Sequence, residues 1–112
     1  MTNKNIAKEL VKIAKKLVAR PAYGWIIDKD VLGLGDRGAM GPRNIDRDIV
    51  KRLKKREGDK FEMFDSDGEL VYVGRIIGED YEGFEPLDDF GEPNAGATMI
   101  RYKSGPLRGS FL

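Results

Sequence analysis

The side chains of this sequence that could carry out acid–base or metal chemistry are carboxylates. Histidine and cysteine are both absent, which removes the commonest general base, the commonest metal ligand and any thiol nucleophile. Carboxylate pairs can act as acid and base or bind Mg²⁺, but neighbours on one loop rarely face each other across a substrate. We therefore expect a non-enzymatic protein without a metal site or a cofactor. Seven acidic residues lie close together in the stretch 79–97, namely Glu79, Asp80, Glu82, Glu85, Asp88, Asp89 and Glu92.

Three short motifs match known ligand-binding patterns, but each lacks the context that its chemistry needs. The Gly-x-Gly-x-x-Gly pattern at 33–38 is followed by Gly41-Pro42 instead of the helix that meets a pyrophosphate. The calcium-like start at 65–69 has Ile76 at its twelfth position, where a bidentate Glu is required. Asp-Phe-Gly at 89–91 occurs without the other kinase motifs. We interpret these motifs as a connector, a hairpin turn and a chance match.

Charge is divided unevenly along the chain. The net charge is only +1, yet residues 1–60 carry 16 basic and 8 acidic side chains. Residues 61–100 carry 11 acidic side chains and a single basic one, Arg75. This division affects partners and association rates more than the fold.

Two amphipathic helices are predicted in the basic part of the chain. Residues 4–19 have aliphatic side chains at helical spacing with lysines on the other side, and Pro21 marks the end. Residues 45–56 form a shorter helix, with Asn44 or Asp46 as its cap. The first helix can pack on the domain or act as a separate address segment, and the sequence leaves both open.

Strands are predicted in the second half of the chain. Residues 61–64 and 70–77 flank residues 65–68, whose Asp-Gly pair favours a tight hairpin turn. Residues 98–103 and 107–112 form a second candidate hairpin. The stretch between the hairpins lacks periodicity, and so long a loop is typically functional or contains an element that the pattern misses.

The predicted fold class is α+β. Two helices are expected to pack on a small antiparallel sheet of about four strands, accompanied by a long structured loop. Residues 1–112 are expected to form one domain, with residues 1–20 as a semi-independent amphipathic helix beside a core at 21–112. No apolar run approaches the roughly 20 residues needed to cross a bilayer, so no membrane span is expected.

The acidic loop 79–97 is the leading candidate for a binding surface. Its glycines and prolines restrict the backbone, and Phe84, Leu87 and Phe90 can anchor it to the sheet. Such a loop would present rigid carboxylates to a basic patch on a protein partner, unless it docks against the protein's own basic helices. The predicted protein-binding residues are Glu82, Phe84, Glu85, Asp88, Asp89, Phe90 and Asn94.

Helix 45–56 offers an alternative surface, for nucleic acid. Its basic residues recur three and four positions apart, which gives a cationic stripe. Acidic residues within the Debye length would weaken attraction to phosphate, and the sheet lacks the aromatic pattern of common RNA-binding domains. The residues concerned are Arg43, Arg47, Lys51, Lys54 and Lys55.

The C-terminal half contains three distinctive segments, YVGRIIG at 72–78, GFEPLDDFG at 83–91 and PNAGAT at 93–98. They resemble a group of small uncharacterised proteins from bacteriophages and mobile elements. The opening AKELVKIAK at 7–15 is similar to N-terminal helices of assorted phage proteins. The resemblance implies an accessory protein in the host cytoplasm, or a virion-associated protein that self-associates, and it brings no catalytic residues. The N-terminus also lacks a secretory signal pattern, so secretion is not expected.

Overall fold

One antiparallel sheet organises the computed structural model, which describes residues 22–79 and 81–112. The predicted helix at 4–19 lies outside the described residues. The sheet has five strands in the order β2-β1-β4-β3-β5, so the α+β class is confirmed with five strands instead of about four. The strands are β1 (Tyr23–Asp30), β2 (Met40–Gly41), β3 (Asp59–Phe64), β4 (Leu70–Gly78) and β5 (Met99–Tyr102). The helices are α1 (Arg47–Lys54) and α2 (Glu92–Ala95), the latter preceded by a π-helical turn at Leu87–Gly91.

The hairpin between β3 and β4 is confirmed, and its turn is built by local hydrogen bonds. The Asp65 carboxylate accepts from the backbone N–H groups of Asp67 at 2.9 Å and Glu69 at 3.0 Å. Gly68 has a φ of 79°, a left-handed conformation that glycine adopts without steric cost. The turn therefore follows from the Asp-Ser-Asp-Gly sequence itself.

Helix α1 is shorter than the predicted 45–56. Asp46 is its N-cap, with a side-chain oxygen 2.7 Å from the Asp48 nitrogen. The helix ends at Lys54 because Arg56 takes a left-handed φ of 67°. Leu53 is fully buried, so one turn of the helix supplies its main contact with the sheet.

The two faces of the sheet carry different layers. Side chains alternate along a strand, so Trp25 and Ile27 lie on one face and Gly24 lies on the other. We call the first the core face; it also holds the buried residues Phe61, Met63, Tyr72, Ile76, Ile100 and Tyr102. The opposite side is the helix face, where a Cβ on Gly24 would collide with Ile45, just before α1, and with Ile49 within α1. The stretch predicted as the acidic loop, which we now call the acidic segment (residues 79 and 81–97), covers the core face. Helix α1 covers part of the helix face.

The segment that the sequence predicted as an aperiodic loop contains the π-helical turn and α2. Leu87 and Ala97 are buried against the core face, which makes the segment a packed layer. Its two short helical turns are too brief to show a hydrophobic period. Of the two interpretations that the sequence left open, a functional loop or a missed element, the structure shows a missed element between residues 87 and 95.

The predicted second hairpin forms only in part. β5 ends at Tyr102, and the chain returns to pair with it through residues 110–112. Ile100 and Leu112 exchange backbone hydrogen bonds of 2.9 and 2.7 Å. Arg101 and Phe111 form an isolated bridge beside them. In the described part of the chain, no helix is long and apolar enough to cross a membrane.

Candidate functional site

The acidic segment is anchored to the core face by Asp89 and Phe90. One Asp89 carboxylate oxygen accepts hydrogen bonds of 3.0 Å from both the Tyr23 hydroxyl and the Trp25 indole N–H. The Phe90 ring lies 5.2 Å from the Trp25 ring and 5.3 Å from the Tyr72 ring, centroid to centroid. Both residues were predicted to bind a partner, but their side chains contact the protein's own sheet.

A second anchor fixes the start of the segment. The buried Tyr102 hydroxyl donates to the Gly83 carbonyl at 2.9 Å. The Glu85 carboxylate accepts from the backbone N–H groups of Glu82 and Gly83, each at 2.8 Å. Glu85 therefore stabilises the turn that precedes it, and these two N–H donors partly compensate its negative charge.

The remaining predicted residues point outward. Glu82, Phe84 and Asp88 are exposed, and Phe84 has 42% of its surface accessible. Phe84 is therefore not the anchor that the sequence suggested, whereas Leu87 and Phe90 pack on the core. Asn94 is exposed but donates its side-chain amide to the Phe90 carbonyl at 2.9 Å. With the exposed Glu92, these outward residues form what we call the acidic surface: Glu82, Phe84, Asp88 and Glu92.

Tyrosine hydroxyls serve as structural donors to carboxylates. Tyr72 donates to Asp36 and Tyr81 donates to Asp59, each at 2.6 Å. Tyr23 donates to Asp89 at 3.0 Å. Burial and the neighbouring carboxylate raise the pKa of Tyr23, Tyr72 and Tyr81 above the usual value. Burial is also the main cause that raises the pKa of Tyr102. All four phenols therefore stay protonated at neutral pH, which does not suit them to act as general bases.

The alternative nucleic-acid residues lie on and beside α1. Arg43, Arg47, Lys51, Lys54 and Lys55 are all exposed. The acidic segment does not dock on this helix, because the sheet separates the two layers. Layers on opposite faces of a sheet lie roughly 20 Å apart, since each packs about 10 Å away. That separation exceeds the Debye length of about 8 Å. The acidic layer therefore weakens the attraction of α1 for phosphate less than the order of charges in the sequence indicates.

Arg75 is a buried charged residue that the sequence patterns did not single out, and its role is structural. It is only 6% exposed, and its guanidinium makes two hydrogen bonds of 2.7 Å with Asp28. It also donates to the carbonyls of Leu53 at 2.9 Å and Glu57 at 2.8 Å, at the end of α1. Hydrogen bonding to Asp28 raises the pKa of Arg75, so the charge is permanent. Its only sequence signal is that it is the single basic residue between 61 and 100.

The glycine-rich loop at 33–38 does not form a phosphate cradle. The Asp36 backbone N–H is bound by the Asp30 carboxylate at 2.9 Å, and the Asp36 carboxylate accepts from Tyr72. Two carboxylates thus occupy a position where dinucleotide-binding folds offer free amides to a pyrophosphate. Among residues 22–79 and 81–112, no group of three or more acidic side chains is placed to hold a metal ion.

A further surface that sequence reasoning missed lies on the helix face, beyond α1. Phe64 of β3 and Phe111 stack with their ring centroids 5.6 Å apart. The Arg101 guanidinium lies over both rings, 5.3 and 5.8 Å from their centroids. The two phenylalanines are 47 positions apart in sequence, so no local pattern connects them.

Comparisons with protein families, with curated proteins and with solved structures found no match to this chain.

Proposed function

We propose that this protein is a non-enzymatic protein-binding module whose acidic surface docks on a basic patch of a protein partner. The observation that carries the proposal is the setting of Phe84, which is 42% exposed between the exposed carboxylates of Glu82 and Asp88. Exposed aromatic side chains commonly supply the central contact of an interface, and charged residues around them select the partner.

Pre-organisation supports the same proposal. The backbone around Phe84 is held by the Tyr102–Gly83 hydrogen bond and by the two hydrogen bonds to Glu85. Asp89 holds the far side of the segment through Tyr23 and Trp25. A surface that is already ordered loses little conformational entropy on binding, so more of the contact energy contributes to affinity.

The chemistry of the partner follows from the charges. Glu82, Asp88 and Glu92 are all acidic, so the partner surface would carry Lys or Arg around an apolar pocket for Phe84. The resemblance to phage-encoded proteins favours an accessory protein that acts on a host or phage protein. On this proposal the protein acts in the host cytoplasm or on the virion.

A capture experiment with matched variants tests the proposal. The full-length protein is immobilised, and proteins captured from host lysate are identified by mass spectrometry at low and at high salt. A triple variant, Glu82→Gln, Phe84→Ala and Asp88→Asn, should lose a basic partner that the wild type retains. The control is Asp67→Asn with Glu69→Gln, which removes two exposed charges from the β3–β4 turn without touching the acidic surface. Far-UV circular dichroism checks that each variant is folded.

The outcome is decided by the difference between the variants. Loss of the partner from the triple variant alone, together with release at high salt, supports the proposal. Equal capture by the wild type and the triple variant would show that the acidic surface is not the binding site. Equal loss from both variants would show that overall charge, not this surface, governs capture.

Nucleic-acid binding through α1 is a second candidate function. The observation that favours it is that Arg47, Lys51 and Lys55 are exposed on the side of the sheet opposite the acidic segment. Changing all three to Glu should abolish a duplex DNA mobility shift that the wild type gives at low salt. A wild type that gives no shift with DNA or RNA at low salt would remove this candidate. A virion structural role would appear instead as symmetric self-association in analytical ultracentrifugation.

A further inference from the structure

A small cleft lined by cations lies on the helix face, at the edge of the sheet far from α1. Its volume is about 220 Å³, and its lining includes Arg101, Lys103 and Arg108. Tyr102 and Gly109 complete the lining, and none of these described lining residues is acidic. We call the space between Arg101, Lys103 and Arg108 the C-terminal cleft. Its size and charge suit a phosphate group.

An aromatic surface adjoins the cleft. Phe111 is 51% exposed and lies beside Arg101 in the bridge that follows β5. One side of the Phe111 ring stacks on Phe64, at an angle of 24° between the ring planes. A ring supported in this way is held in place for stacking with a flat ligand.

Glu62 fixes the position of the Arg101 side chain but does not cancel the positive charge of the cleft. Its carboxylate accepts from Arg101 at 2.6 and 3.2 Å, which fixes the guanidinium above the two rings. Lys103 lies 4.0 Å from the same carboxylate. Three cations against one carboxylate leave a local net charge of +2, so the cleft remains attractive to an anion.

We propose that the C-terminal cleft and Phe111 bind a short segment of single-stranded nucleic acid. Lys103 and Arg108 contact a backbone phosphate in the cleft, and the adjacent base stacks on Phe111. Proteins that bind single strands combine a cationic groove with exposed aromatic rings in this way. A duplex hides the faces of its bases, so one projecting ring selects the single strand. The site is separate from α1 and from the acidic surface.

The test separates stacking from simple attraction of charge. Binding of a labelled strand of about twelve thymidines and of an abasic strand of equal length is followed by fluorescence anisotropy at low salt. Phe111→Ala should weaken thymidine-strand binding by at least about fivefold and leave abasic-strand binding unchanged. Arg108→Ala should weaken both and lower the slope of log K against log salt by about 0.7.

Two control variants keep the test specific. Phe84→Ala removes a phenylalanine of similar exposure that does not line the cleft, and it should leave both affinities unchanged. Lys29→Ala removes an exposed cation from β1, which two strands separate from β5, and should have the same null effect. Lys55→Ala, at the end of α1, tests the alternative nucleic-acid surface separately. If Phe111→Ala does not fold, Phe111→Leu keeps apolar cover on Phe64 and still removes the ring.

Several results would overturn the proposal. One is no binding of the thymidine strand by the wild type at low salt. Another is equal affinity for the thymidine and abasic strands, which would indicate a general polyanion site. A third is loss of binding in Lys55→Ala with none in Arg108→Ala, which would place the contact on α1.

Discussion

Arg75 and Asp28 share two hydrogen bonds of 2.7 Å across the adjacent strands β4 and β1. The same guanidinium donates to the carbonyl of Leu53, which also accepts from the Arg56 N–H at 3.0 Å, and to the carbonyl of Glu57, which follows α1. One buried side chain therefore joins two strands to the helix. Asp28 and the helix end both depend on it.

Replacing Arg75 should destabilise the fold more than replacing any surface arginine. Arg75→Met is expected to lower the free energy of unfolding by about 3 kcal/mol, because the buried site loses the guanidinium that binds Asp28 and the carbonyls of Leu53 and Glu57. The control is Arg52→Met, whose 54%-exposed side chain pairs with Glu57 and should cost about 1 kcal/mol or less. Urea unfolding followed by circular dichroism measures both. Equal losses would mean that Arg75 has no special role.

Alanine substitutions of the neighbouring residues Asp88 and Asp89 should differ sharply in their effect on the free energy of unfolding. Asp89→Ala leaves the Tyr23 hydroxyl and the Trp25 indole without their acceptor, so a loss of about 1–3 kcal/mol is expected. Asp88→Ala should change stability by about 0.5 kcal/mol or less, because Asp88 is exposed and its side chain makes no hydrogen bond to another described residue. Trp25 is the chain's single tryptophan, so its fluorescence should shift in the first variant and not in the second. A similar shift in both would contradict the anchoring role of Asp89.

The tyrosines should titrate late in the folded protein. Burial and carboxylate partners raise the pKa of all four, so the unfolded chain loses its phenolic protons first as pH rises. Their contribution to stability is complete below about pH 10, the unfolded value, and is lost as pH rises through the folded-state pKa values. Absorbance at the phenolate band should show little ionisation in the native state near pH 10, and about half in urea. Native tyrosines that titrate as in urea would contradict these contacts.

Removing one hydroxyl should loosen the loop between β1 and β2. Tyr72→Phe takes away the donor to Asp36, which in turn is tied to Asp30. We expect trypsin to cut after the exposed Arg37 about five times faster, since a lost hydrogen bond of about 1 kcal/mol raises local opening by that factor. Mass spectrometry of the fragments gives the rate at this bond. Tyr81→Phe, which frees Asp59 instead, should not change cleavage at Arg37.

Local sequence signals predicted the elements that depend on neighbours in the chain. The turn at residues 65–68 was predictable because the Asp65 carboxylate and Gly68 act within five residues. The cap of α1 was narrowed to Asn44 or Asp46, and Asp46 is the one that accepts the hydrogen bond. Proline near the start of α2 and Gly96 after its end were also signals, and they could have revealed the short helix.

Contacts between distant residues could not be predicted. Asp89 binds Trp25 across 64 positions, and Arg75 binds Asp28 across 47. Both Asp88 and Asp89 are exposed, and nothing local indicates that Asp89 is the one whose carboxylate binds Tyr23 and Trp25. Among the candidate protein-binding residues, the sequence could not tell which side chains face outward and which pack on the sheet.

Among the described residues, both edges of the sheet are partly covered by other segments of the chain. At one edge β2 is two residues long, and the outer side of β1 is already bonded at Ile27 to Ala39 and Gly38. At the other edge, Ile100 exchanges both of its backbone hydrogen bonds with Leu112. Exposed strand edges are where proteins swap strands and nucleate fibres. In the described part of the chain, the pairings of Ile27 and Ile100 leave fewer free backbone groups for another strand, which disfavours edge-to-edge association at these positions.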